Sequence, residues 1–237
     1  MRAPATGARR PGLAASAGET MAEIVDSQWI DRQQPVDYDN LRPQLRTGDL
    51  MFASGNHWMS RIIRRGTGSP WSHVGLVVRV PHLDRVLLLE AVEDMGVRFA
   101  PLRKYLYDYG NGKPYDGRIV LARHHWVDER NAASLVNHGV DELTRPYDLS
   151  EAFKIVLRAW FGWTRHEGNR AYICSELVEY CFARAGYQFT WSMKNYITPA
   201  EVWADPYVEC LGRVRTPLIE SRVADAVPAP VSSKAAA

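Results

Sequence analysis

Apolar positions in this chain first follow a strand-like pattern and later a helical one. "GDLMFAS" (48–54) comes after a turn and reads as a short strand. "SHVGLVVRV" (72–80) and "RVLLLEAV" (85–92) are β-branched and aliphatic runs separated by "PHLD", the pattern of a hairpin. "GRIVLARHHW" (117–126), introduced by the turn-rich "YGNGKPYDG", is a further strand. The period then changes. In "LSEAFKIVLRAWFGW" the apolar positions Phe153, Val156, Leu157, Trp160 and Phe161 fall at helical spacing, with Ser150 as N-cap. In "AYICSELVEYCFARAG" (171–186) Ile173, Leu177, Val178, Cys181, Phe182 and Ala185 line one helical stripe, and Gly186 is a natural stop. Strands followed by helices predict an α+β fold.

Composition narrows the picture modestly. A chain of 237 residues, 46% hydrophobic and 24% charged, suits one globular domain with tails. The ends are rich in Ala, Pro and Gly or Ser, so the domain is expected over 38–216. Residues 1–37 are expected to be mostly disordered and 217–237 disordered. A net charge of +2 gives no reason to invoke nucleic acid as a partner. The three cysteines include no C-x-x-C pair and are too sparse for a disulfide framework, which points to a reducing compartment. No secretory signal and no run of 18 apolar residues is found, so a cytoplasmic protein without a membrane span is expected. Oligomeric state is not legible.

Candidate chemistry begins with Cys174, which falls in the first turn of the second helix. Unsatisfied N–H groups and the positive end of the macrodipole lie there. Such a setting, with a nearby imidazolium, lowers a thiol pKa from about 8.5 to about 3.5–7.5. Position alone leaves two readings open, a nucleophile or a buried filler on the apolar stripe. Cys181, in mid-helix, reads as filler. His73 opens the strand that follows "GTGSP". If "PHLD" is an even-numbered loop, Val80 pairs with Arg85, Gly75 faces Glu90, and His73 and Glu90 become diagonal neighbours on one face. A one-residue slip would put them on opposite faces. An acid inside "LLLEAV" needs a partner, and a histidine would serve. Nucleophile, base and orienting group then follow in the chain order His73, Glu90, Cys174. The other six histidines are assigned no role.

Taken together, "GDLMFASG", "RRGTGSPWSHVGLVV", "LLEAVEDMGVRFAPL" and "YICSELVEYCF" resemble the YiiX-like family over about residues 41–187. These are circularly permuted papain-fold enzymes related to NlpC-type cell-wall peptidases and, more distantly, to lecithin–retinol acyltransferases. The resemblance implies a small antiparallel sheet packed against helices, with Cys174 and His73 catalytic and Glu90 as the third polar group. By analogy with the wider superfamily, Tyr172 is placed to line the cleft or donate to an oxyanion. Trp71 is a candidate wall of the site. Ser175 is a candidate first-turn hydroxyl near substrate. The expected activity is hydrolysis of amides in small peptides or amino-acid conjugates, for example cell-wall peptide fragments, through an acyl-enzyme. A lipid-directed acyltransferase or thioesterase, and a non-catalytic binding module, are the alternatives. The segment 124–169 matches no motif, and is a candidate to shape the pocket.

No cofactor and no metal site is expected. "RGTGSP" lacks the third glycine of a dinucleotide fingerprint, "GNGKP" lacks phosphate-loop spacing, and no G-x-S-x-G occurs. The histidines and cysteines do not fall at chelating spacing. "IVLRAWFGWTR", with aromatics and arginines, reads as a core helix with a snorkelling rim.

Overall fold

The computed structural model describes residues 27–93, 95–146, 173–190 and 197–217. The helix expected from Ser150 onward lies outside the described residues. The centre of the fold is a seven-stranded sheet in the order β1-β7-β6-β2-β3-β4-β5. Its strands are β1 (Pro35–Val36), β2 (Leu50–Gly55), β3 (His73–Val80), β4 (Arg85–Val92), β5 (Gly96–Pro101), β6 (Gly117–His124) and β7 (Val208–Val214). All neighbours run antiparallel except β1 and β7, which are parallel. The sheet is thus larger than the expected strand runs imply, with β1, β5 and β7 added.

Alternation along the strands divides the core in two. Leu50, Phe52, Val74, Leu76, Leu89, Ala91, Val120 and Ala122 face one side. There they meet Leu177, Val178, Cys181 and Phe182 of a helix from Cys174 to Ala185. Met51, Ala53, Val77, Leu88, Ile119 and Leu121 face the other side and meet Tyr38, Leu41, Leu102, Tyr105 and Leu106. Covering both faces explains why β2 reads as an unbroken apolar run rather than an alternating one: all six of its residues are buried.

Helices are numbered in chain order: α1 (Ser27–Arg32), α2 (Tyr38–Leu41), α3 (Trp58–Thr67), α4 (Leu102–Tyr107), α5 (Ala132–Val140), α6 (Cys174–Ala185) and α7 (Pro199–Trp203). The apolar stripe expected for α6 is the face that packs against β3, β4 and α5. Its end at Gly186 adopts φ 103°, the left-handed region that glycine enters without cost. Among the described residues, no helix is long and apolar enough to cross a membrane.

The hairpin register follows the even-loop expectation. A four-residue loop, 81–84, joins β3 to β4, and Val80 pairs with Arg85 and Leu76 with Leu89. The "GD" turn before β2 has a structural role. Asp49, 3% exposed, accepts two hydrogen bonds at 2.9 Å from the Arg123 guanidinium on β6 and one from the Arg46 N–H. This bidentate pair ties the start of β2 to its neighbour.

The domain begins earlier than residue 38. Ile30 of α1 is fully buried in the core, β1 pairs with β7, and Asp37 accepts from Arg215 at 2.7 Å. Residues 27–37 are therefore part of the fold. A two-residue strand and a short helix carry too little periodicity to be seen in sequence.

Gly139 sets the spacing between α5 and its neighbours. A Cβ there would lie 2.3 Å from Leu89 Cδ2 and 2.9 Å from Cys181 Sγ. Helix propensity favours alanine over glycine by about 0.8–1.0 kcal/mol, whereas overpacking a filled core costs about 1–3 kcal/mol. Gly139→Ala is therefore predicted to lower the urea unfolding midpoint despite its better propensity. An unchanged or raised midpoint would show that α5 shifts freely against α6.

Candidate active site

The site is assembled at one end of the sheet. His73 is the first residue of β3, so its ring sits where the strand ends rather than in the middle of a ladder. Glu90 lies on β4, on the same face as Leu88, and its side chain is fully buried. His73 Nε2 lies 2.8 Å from Glu90 Oε2. The diagonal geometry expected from the hairpin is present. Gly75 is not needed to make room for it. A Cβ there would meet Glu90 Cβ at 3.4 Å, an ordinary contact.

A buried carboxylate is costly unless its lone pairs are filled. Here Glu90 has four donors. Besides His73, Tyr105 of α4 donates to Oε2 in a short hydrogen bond. Arg98 of β5 approaches Oε1 through Nε at 3.0 Å and Nη2 at 2.9 Å. Burial alone would raise the Glu90 pKa, but hydrogen bonding from His73 and Tyr105, with the nearby charges, brings it below its ordinary value. Glu90 therefore stays ionised. Burial, with the Glu90 charge beside it, raises the Tyr105 pKa well above the usual phenol range, so Tyr105 keeps its proton and remains a donor.

Cys174 opens α6 and is 5% exposed. Although α6 packs on the face opposite Glu90, its N-terminus reaches the end of β3, where Cys174 is close enough to His73 to act on its protonation. Because Nε2 is engaged by Glu90, Nδ1 is the ring nitrogen left for the sulfur. Burial works against the imidazolium, but hydrogen bonds to Cys174 and Glu90 outweigh it and raise the His73 pKa to about 10.

The start of α6 also exposes backbone donors. Ile173 precedes it in an extended conformation and has no side chain able to cap, while Glu176 reaches back to the Ile173 N–H at 3.4 Å. The first-turn N–H groups have no intrahelical acceptor and carry the positive end of the dipole. The other two cysteines are different in kind. Burial, with the Glu142 charge beside it, pushes the Cys181 thiol up to about 12, and burial raises that of Cys210.

Two of the expected substrate-contacting residues need correction. Trp71 is 1% exposed and packs between Phe52 and Trp203, with ring centroids 5.3 and 4.7 Å away. It is a core residue and presents no wall to a cleft. Ser175 is fully buried and donates to the Ile197 carbonyl at 2.7 Å, pinning α6 to the segment before α7. Its hydroxyl is committed to that carbonyl rather than free to meet a substrate. Tyr172 lies outside the described residues.

Arg98 and Tyr105 are partners of Glu90 that the sequence reading missed. Arg98 stands directly opposite Glu90 in the β4–β5 ladder. Recognising "GVRFAP" as a strand would have revealed it. The turn into that strand rests on Gly96 at φ 66°, where a Cβ would lie 2.0 Å from the Arg145 carbonyl oxygen. Ser72, the neighbour of His73, was also missed. Its hydroxyl accepts from Gly55 N–H and donates to Ala53 C=O, fastening the start of β3 to β2. Among the described residues no group of three or more His, Cys, Asp or Glu side chains is arranged to hold a metal ion.

Comparison with known proteins agrees in part. The model of a family described as permuted papain-like amidase enzyme, YaeF/YiiX, C92 family, matches residues 44–211. A solved structure described as the metalloprotein yiiX from Escherichia coli O157:H7 is similar at 20% identity. The match covers 73% of this chain and 99% of that one, with a TM-score of 0.45. No curated protein matches the chain.

The His73 shift has a consequence for stability. The folded value, about 10, lies above the unfolded value of about 6.5. The contribution is therefore complete below pH about 6.5 and is lost as pH rises through about 10. Unfolding free energy measured by urea titration is predicted to fall across that alkaline window, and to fall less in His73→Gln. Equal slopes in the two proteins would contradict the pairing.

Proposed function

The chain belongs to the permuted papain-like amidase family, and from that premise we propose that it hydrolyses amide bonds in small peptides or amino-acid conjugates, such as cell-wall peptide fragments, with Cys174 as nucleophile. The observation that carries this reading is the 2.8 Å contact of His73 with the buried Glu90 carboxylate, with Cys174 at the start of α6 beside the same ring.

The proposed steps follow from the groups present. His73 takes the proton of the Cys174 thiol, and the thiolate attacks the substrate carbonyl carbon, forming an S–C bond while the carbonyl electrons move onto oxygen. The first-turn N–H groups of α6 are suited to that oxyanion, where preorganised donors contribute most. His73 passes its proton to the departing amine as the C–N bond breaks, leaving an acyl-enzyme. Water then attacks the thioester carbonyl, His73 takes the water's proton, and the sulfur departs. Glu90 keeps the imidazole oriented and its positive charge compensated throughout, as the third member of such a triad does. Arg98 and Tyr105 act through Glu90 as positioning residues. The three cysteines are unpaired, which suits a reducing compartment such as the cytoplasm.

Alkylation of Cys174 by iodoacetamide at neutral pH, followed by mass, tests the pair directly. The reaction is expected to be rapid and to slow by about a hundredfold in His73→Ala, the scale of a positioned proton-transfer group. An unchanged rate would refute the role given to His73. In parallel, activated amides and esters are expected to leave an acyl group on Cys174, whose mass identifies the substrate class. Acylation only by long-chain esters would replace the amide reading with a lipid one.

A further inference from the structure

A cavity of about 350 Å³ lies beside α3, lined by Ser27, Arg61, Arg64, Arg65, Ser69 and Pro70, with no acidic side chain in its wall among the described residues. Three arginines on one turn and a half of helix repel one another. Elsewhere among the described residues, Arg42, Arg79, Arg98, Arg118 and Arg123 each pair with a carboxylate. Arg61, Arg64 and Arg65 pair with no carboxylate among the described residues. Arg64 donates from Nη1 to Ser54 Oγ at 3.3 Å, but its Nε is buried without a hydrogen-bond partner. Burial and the surrounding cations Arg118, Arg61 and Arg65 lower the Arg64 pKa from its ordinary value. Both signs indicate positive charge held without compensation.

The cavity lies at the same end of the sheet as the thiol. Helix α3 follows the end of β2, where Ala53 pairs with His73. Ser69 in the cavity wall precedes His73 by four residues, so at most about 14 Å of chain separates them. An extended peptide of about four residues covers that distance. Guanidinium groups recognise carboxylate and phosphate in particular, because their planar fork of donors matches two oxygens of either.

We infer that the Arg61–Arg64–Arg65 cavity binds an anionic group, carboxylate or phosphate, carried by the substrate whose carbonyl meets Cys174. This deepens the amidase reading and rests on it. The substrate class is then an acidic peptide or conjugate, anchored by its anion at one end and cleaved at the other.

Calorimetric titration of the full chain at low ionic strength, once with inorganic phosphate and once with acetate, distinguishes the two anion sources. At least one is expected to bind saturably, and its affinity to fall about tenfold or more in the double variant Arg61→Gln/Arg65→Gln, the loss expected from two charge-assisted contacts. Both positions are exposed, and an unchanged thermal midpoint would confirm that the variant is folded. No binding by either probe, or binding indifferent to the double variant, overturns the site. The link to the thiol is read from Cys174 alkylation by anionic iodoacetate relative to neutral iodoacetamide. That ratio is expected to fall in the double variant, and on adding the bound anion to the wild type. A ratio unaffected by either overturns the substrate assignment. The titrations involve no reaction at Cys174. If His73→Ala leaves alkylation unchanged, the amidase mechanism fails while the anion site is still judged by its own data.

Discussion

The arrangement depends on one buried negative charge. Glu90 sits fully enclosed in an aliphatic strand, and an isolated carboxylate there would be neutral or would unfold the sheet. It remains ionised because three separate elements direct donors at it: β3 through His73, β5 through Arg98 and α4 through Tyr105. Each donor needs the other elements in place. The charge is thus both a test of correct folding and, after Cys174, a reason that His73 holds a proton.

The sulfur arrives by a different route. α6 is anchored on the opposite face of the sheet by Leu177, Val178, Cys181 and Phe182, and is tied by Ser175 to the segment before α7. Its first residue, Cys174, lies beside His73 at the start of β3. Two independently packed bodies therefore meet at one point, a helix start and a strand end, and both are places where backbone groups and side chains are not already committed to a ladder. The chain order His73, Glu90, Cys174 follows from this topology. Strands β1–β6 precede the helix that carries Cys174, and β7 follows it, so His73 and Glu90 come before Cys174 in the chain.

Much of this was legible in the sequence where a strict period was at work. The β3–β4 register followed from the even loop "PHLD", and with it the closeness of His73 and Glu90. The buried stripe of α6 followed from its 3.6-residue period. What escaped was short or non-local. β5 alternates over only six residues, so Arg98 was not seen as the partner of Glu90. Tyr105 lies on a six-residue helix whose packing on the sheet has no local signal. Trp71 illustrates the opposite error. Its closeness in sequence to His73 suggested a cleft wall, but a side chain of that size is usually claimed by the core, and here it packs between Phe52 and Trp203.

The most direct test of the central claim is the titration of the His73 imidazole, followed by nitrogen NMR in the wild-type protein and in Glu90→Gln. The account predicts that His73 stays protonated well above pH 8 in the wild type, toward its pKa of about 10, and that this value drops when the carboxylate is removed. A His73 that titrates near pH 6.5 in both proteins would contradict the account, because the buried carboxylate would then not be holding a proton on the ring that faces the thiol.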